Sequence, residues 1–130
     1  MAILFKPIQK KNPQKPDDPA KWYAVAVSDG DTTLEDLAAY AAETSTVSKA
    51  DILAVLETCF TKTAKDLSAG KIVRIGGYFT LQMSISSDPS DTEEEVTASK
   101  IKKCKINFRP GKMLADMIKL VNYHKKSSKK

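Results

Sequence analysis

Between Ser48 and Gly70 the sequence carries one unbroken apolar stripe: Ile52, Val55, Leu56, Cys59, Phe60, Thr63 and Leu67. The three- and four-residue spacing is that of one helix face, about five turns long. Ser48, with Asp51 three residues on, reads as the N-terminal cap, and Gly70 as the C-terminal stop. From Lys71 the period falls to two. Val73 and Ile75, then Phe79, Leu81, Met83 and Ile85, alternate with polar residues as in a half-buried antiparallel strand. A long amphipathic helix running straight into alternating strands defines an α+β chain.

The flanking segments extend that reading. Thr32–Thr33–Leu34–Glu35 has the form of a capping box, and Leu34, Leu37, Ala38 and Ala41 follow on one face of a shorter helix ending near Glu43. Thr44–Ser45–Thr46 separates the two helices. Gly76–Gly77 predicts a tight turn between two strands, and Ser86–Glu95 an acidic loop or arm tip. Val96–Phe108 returns to strand character, with Cys104, Ile106 and Phe108 on one face and Lys103, Lys105 and Asn107 on the other. Pro110–Gly111 stops it. Leu114, Met117, Ile118 and Val121 then repeat at helical spacing, and the chain is expected to fray from Lys125. At the other end, residues 6–20 hold four prolines and should run extended over the surface. Trp22–Val27 reads as a short strand closed by the turn Ser28–Asp29–Gly30. The expected order is strand, two helices, three strands, helix. The expected divisions are an N-terminal extension (1–31), a main domain (32–124) and a basic tail (125–130).

A length of 130 residues suits one domain, and 42% hydrophobic with 28% charged residues is a soluble balance. No run approaches the roughly 20 apolar residues of a membrane span, and the Met1–Lys6 segment is too short, with its lysine on the wrong side, for a secretory signal. A cytoplasmic location is expected. Cys59 and Cys104 lack metal-ligand spacing and read as reduced, buried thiols. The net charge of +5 is unevenly spread. Residues 100–130 hold eleven basic groups against Asp116 alone, a net +10, and residues 1–15 hold four lysines and no acid. Residues 16–99 hold six basic and fifteen acidic groups, a net −9. Basic ends invite a polyanion, because clustered Lys and Arg release condensed counterions on meeting phosphates. Equally, they describe a solvated surface. Nothing proposes catalysis: His124 sits among lysines, Gly76–Gly77 lacks the strand-to-helix context of a phosphate loop, and Glu93–Glu95 have no proton-transfer partner. The expectation is a non-enzyme with no cofactor, no metal and no small-molecule substrate.

From about Leu34 to Leu120 the chain resembles the bacterial HU/IHF histone-like DNA-binding family. The resemblance is carried by the helix–break–helix stretch ending at Gly70, by the Gly77–Tyr78–Phe79 turn, and by Phe108–Arg109–Pro110–Gly111–Lys112 opening the last helix. Two departures mark it as similar to a divergent HU-like branch. Residues 1–31 form an added N-terminal extension. The arm offers Gln82, Ser84, Ser87 and Ser90 where arginines are usual in the family, with Asp88, Asp91, Glu93, Glu94 and Glu95 around it.

The resemblance implies two N-terminal helices, a three-stranded antiparallel sheet with a β-arm, a C-terminal helix and an intertwined homodimer. It implies a nucleoid-associated, architectural protein that binds double-stranded DNA with little sequence preference through backbone phosphates on a basic saddle, and condenses it. Arg109 and Lys112, at the start of the last helix, are the first candidate phosphate contacts. Lys103 and Lys105 share a strand face, and Lys100 and Lys102 extend the same run. Each of these also reads as plain surface charge. Pro89 is a candidate wedge between base pairs or an ordinary turn residue. The tail lysines Lys6, Lys10, Lys11, Lys15, Lys125, Lys126, Lys129 and Lys130 are either flexible arms on DNA or solubilising charge. Trp22 and Tyr23 read as core or dimer packing. The alternative function is an HU-like dimeric protein-interaction or scaffold module whose acidic arms meet a basic protein.

Overall fold

The computed structural model describes residues 1–127, so Lys129 and Lys130 lie outside it. The chain divides into two compact units: Leu34–Met117, and Met1–Thr33 together with the segment from Ile118 onward.

The first unit contains the α+β elements. Helix α1 (Leu34–Glu43) packs against helix α2 (Lys49–Ser68), which also touches strands β3 (Val73–Ile75) and β4 (Phe79–Ser87). The cap at Ser48 forms as expected, its Oγ accepting the Asp51 amide at 3.2 Å. At the far end the Gly70 amide donates to the Leu67 carbonyl and the Lys71 amide to the Asp66 carbonyl, both at 3.0 Å. That paired closure needs a left-handed residue, and Gly70 supplies it with φ +85°. Strand β4 lies between β3 and β5 (Ile101–Pro110) in an antiparallel sheet. The strand expected from Val96 therefore starts at Ile101, because 3-10 turns at Glu93–Glu95 and Ala98–Lys100 occupy the connection. Helix α3 (Lys112–Lys119) ends before Val121.

The second unit differs from the sequence expectation. Within residues 6–20, expected to run extended over the surface, the first five are extended but also paired: Ile3–Lys10 forms strand β1, antiparallel to β2 (Lys21–Val27) from Leu4↔Val27 to Lys10↔Lys21. The last described residues do not fray at Lys125: Tyr123–Lys125 forms β6, parallel to β1. Their bonds run from the Ile3 amide to the Asn122 carbonyl and from the Lys126 amide to the Phe5 carbonyl, each 2.8 Å. Odd-numbered residues of β1 thus address β6, and even-numbered ones address β2. Pro7 is odd and lies past Phe5↔Lys125, the last pair with β6. Its missing N–H falls where no ladder bond is required, which is how a proline sits inside this strand.

Among the described residues only Ala38 and Leu67 are buried. Two expectations change as a result. Cys59 and Cys104 are unpaired but exposed, since they lie on apolar faces that one chain leaves uncovered. Trp22 and Tyr23 are exposed on β2, not packed in a core, and the Lys10 ammonium stands 5.9 Å from the centre of the Tyr23 ring.

Candidate nucleic-acid interface

The geometry of the β3-β4-β5 sheet starts at its glycines. Ile75, Gly76, Gly77 and Tyr78 make the turn from β3 to β4, closed by the Tyr78 amide on the Ile75 carbonyl at 2.9 Å, with Gly76 at φ +51°. Gly111 stands directly against this turn. Its amide donates to the Tyr78 carbonyl at 2.6 Å, and a Cβ at Gly111 would overlap the Gly77 carbonyl. Pro110 pairs with Phe79 across the sheet, so Pro110–Gly111 is fastened to the Gly77–Tyr78–Phe79 corner by backbone alone. The first bond of α3, from the Ala115 amide to the Gly111 carbonyl at 2.9 Å, begins at the same point. The corner therefore fixes where β5 ends, and with it the aim of Arg109 and the start of the helix bearing Lys112.

Registry sorts the rest. Thr80 pairs with Arg109, Gln82 with Asn107, Ser84 with Lys105 and Ser86 with Lys103, so these eight side chains occupy one face. Leu81↔Phe108, Met83↔Ile106 and Ile85↔Cys104 occupy the other. Phe79 and Phe108 stack there with ring centres 5.5 Å apart. On the polar face an open groove of about 580 Å³ is lined by Arg74, Thr80, Gln82, Lys105, Asn107 and Arg109 among others. Its cations stand beside the Thr80 hydroxyl and the Gln82 and Asn107 amides, with Ile72, Ile106 and Phe108 completing the lining and no carboxylate in it. Such a surface can hold a phosphate chain through charge-assisted bonds without reading bases. Among the described residues there is no group of side chains arranged to hold a metal.

The candidate residues are not all brought together. Lys103, Lys105 and Arg109 share the polar face, alternate residues standing about 7 Å apart along the strand. Lys102 is the extra residue of a bulge, since Ser86 pairs with Lys103 and Ser87 with Ile101. Its ammonium meets the Asp88 carboxylate at 2.8 Å. Lys112 similarly bonds Asp116, one turn along α3, at 2.7 Å. Lys100 ends the second 3-10 turn, where its carbonyl accepts the Asp88 amide at 2.9 Å. Pro89 is exposed in the connection after β4. Sequence reading passed over Arg74. The signal was present, because Arg74 alternates with Val73 and Ile75, but only the pairing Arg74↔Thr80 carries it to the face of Arg109.

The apolar side of this sheet is the more conspicuous surface. Ile85 is 62% exposed, and Ile106 and Phe108 are each 57% exposed. No helix among the described residues is long and apolar enough to cross a membrane.

Comparison with known proteins agrees with this architecture. A solved structure of a candidate bacterial DNA-binding protein from Bacteroides vulgatus ATCC 8482 superposes with a TM-score of 0.62 over 98% of this chain at 15% identity. The chain spans only 51% of that protein's length. Among curated proteins nothing matches. The family pattern described as an HU domain fused to wHTH, Ig, or glycine-rich motif matches residues 1–125, and on that match the chain belongs to the HU-HIG family.

Proposed function

We propose that the protein is a histone-like architectural protein that binds double-stranded DNA through its phosphate backbone, with the polar face of β3-β4-β5 as the contact surface. One observation carries the reading: strand registry gathers Arg74, Lys103, Lys105 and Arg109 onto a single hydroxyl- and amide-lined face. Family membership and the DNA-binding designation of the structural relative support it. The working form is a homodimer. A chain that is 42% hydrophobic yet buries only Ala38 and Leu67 among its described residues has apolar surface to cover, and Ile85, Ile106 and Phe108 are where a second copy covers it. Binding is weaker than a fully basic arm would give, because Asp88 and Asp116 already neutralise Lys102 and Lys112.

Those two ion pairs, with the acidic turn Glu93–Glu95, favour a second reading: a dimeric scaffold whose arms meet a basic protein. Fluorescence anisotropy on a random duplex, at about 50 and about 200 mM salt, separates the two. The DNA reading expects affinity that falls with salt and is largely abolished in Arg74→Ala/Lys105→Ala/Arg109→Ala. Affinity indifferent to salt, or no binding at the lower salt, rejects it in favour of the scaffold.

A further inference from the structure

Strand β2 is the outer strand of its sheet, with β1 on one side and no partner on the other among the described residues. The even-numbered residues of β1 face β2, so Lys21, Tyr23, Val25 and Val27 are the residues of β2 that bond to β1. The N–H and C=O groups of Trp22, Ala24 and Ala26 point outward. Exposed edges are normally guarded by brevity, bulges, proline or charge. In the other sheet β3 has only three residues, while β5 carries a bulge, four cations and a terminal proline. Seven-residue β2 (KWYAVAV) has only Lys21 at its end.

The open edge is complementary to itself. Set antiparallel to a second β2 about an axis at Ala24, Trp22 falls opposite the second copy's Ala26, and Ala24 opposite its own equivalent. These are the residues whose backbone groups are free, so all three pairs exchange both hydrogen bonds. Each indole, 66% exposed in one chain, lies over small alanines of the other copy. On the opposite face Tyr23 meets Val25 and Lys21 meets Val27, so no lysine opposes a lysine. An apolar groove of about 410 Å³ is lined by Ile3, Phe5, Ala24, Val25, Ala26 and Tyr123, three of them residues of β2.

We propose that β2 is a self-association edge, through which a second copy of this chain joins two three-stranded sheets into one of six strands. The contact uses the edge of β2-β1-β6 and not the apolar face of β3-β4-β5, so the two pairings are tested as separate steps.

Sedimentation tests it with Ala24→Pro in the full chain. The Ala24 N–H makes no bond to β1, so proline there closes the edge while leaving the β1–β2 ladder intact. The native chain is expected to double its mass with rising concentration and the variant to hold its lower mass, with association weakened at least tenfold. A dimer-to-tetramer step in the native chain supports both contacts. A monomer-to-dimer step abolished by Ala24→Pro supports the edge and rejects the other dimer. Equal mass for native and variant at every concentration overturns the edge. Ala24→Cys with Cys59→Ser and Cys104→Ser gives a reading independent of proline: a disulfide at the axis is expected, the paired Cα atoms being about 5.5 Å apart. Its absence under oxidation counts against the pairing. Trp22, the only tryptophan, reports in the same samples. Its emission shifts to the blue as mass doubles; quenching by an unpaired oligonucleotide, with the number of protein chains per particle constant at every concentration, overturns the edge and assigns a base-stacking surface instead.

Discussion

Sheet β3-β4-β5 is assembled from neighbours in sequence, whereas sheet β2-β1-β6 joins Ile3 to Tyr123 from opposite ends of the chain. The first is fixed by sterics at one corner, where Gly111 admits no Cβ beside Gly77, and its faces are sorted cleanly into apolar and cationic. The second has no such lock. Its lysines Lys6, Lys10 and Lys21 lie on the face that also carries Leu4, Ile8 and Val25, and its ladder to β6 is three residues long. Charge is abundant in both sheets. In the first, registry places it on a groove with no carboxylate among its lining residues.

The contrast breaks most visibly at the corner. Gly111→Ala is expected to destabilise the chain by about 3 kcal/mol, the upper range for an overpacked site, read as a lower urea midpoint. An unchanged midpoint means that the corner yields and is no lock. Charge removal compares the sheets directly. Arg74→Ala/Lys105→Ala/Arg109→Ala should flatten the log–log salt dependence of duplex binding by about 2.7, at about 0.9 for each phosphate no longer neutralised. Removing the same charge as Lys6→Ala/Lys10→Ala/Lys21→Ala should flatten it by less than about 1. Equal effects would turn the proposed surface into a diffuse basic coat.

Deleting residues from Asn122 onward, which removes the carbonyl that accepts the Ile3 amide, should raise hydrogen exchange at Ile3 about tenfold, the worth of one backbone bond, and leave β4 and β5 protected. Loss of protection throughout would show that the chain ends hold up both sheets. Smallest is Ser48→Ala, which removes the α2 cap outside either sheet. It should cost about 1 kcal/mol by denaturation and leave DNA affinity unchanged.

Local physics made much of the fold legible. The Ile52–Leu67 stripe, the Ser48 cap and the Gly70 stop need only helical geometry, and α2 spans Lys49–Ser68 accordingly. Alternation from Val73 to Ile85 gave the strands and the separation of Lys103 and Lys105 from Cys104 and Ile106. Strand β1 was hidden because Pro7 argues against a strand until one knows which way its nitrogen faces. Strand β6 was hidden because three residues beside a lysine tail carry no period. For the site, the sequence supplied the cations but not their partners. Lys102 and Lys112 look like Lys103 and Lys105 until Asp88 and Asp116 are placed beside them.

What the sequence determined by itself is therefore a set of features whose cause lies within a few residues: the Ser48 cap, the Gly70 stop, the periods, the Gly-Gly turn and the Pro-Gly stop. Tertiary structure decided what depends on distant residues meeting. It brought Arg74 to Arg109 through Thr80, set Gly111 against Gly77, joined Ile3 to Tyr123 and turned the free edge of β2 outward. Propensity and capping act over one helical turn, while registry between strands is chosen by which faces and backbone groups find partners across the whole chain.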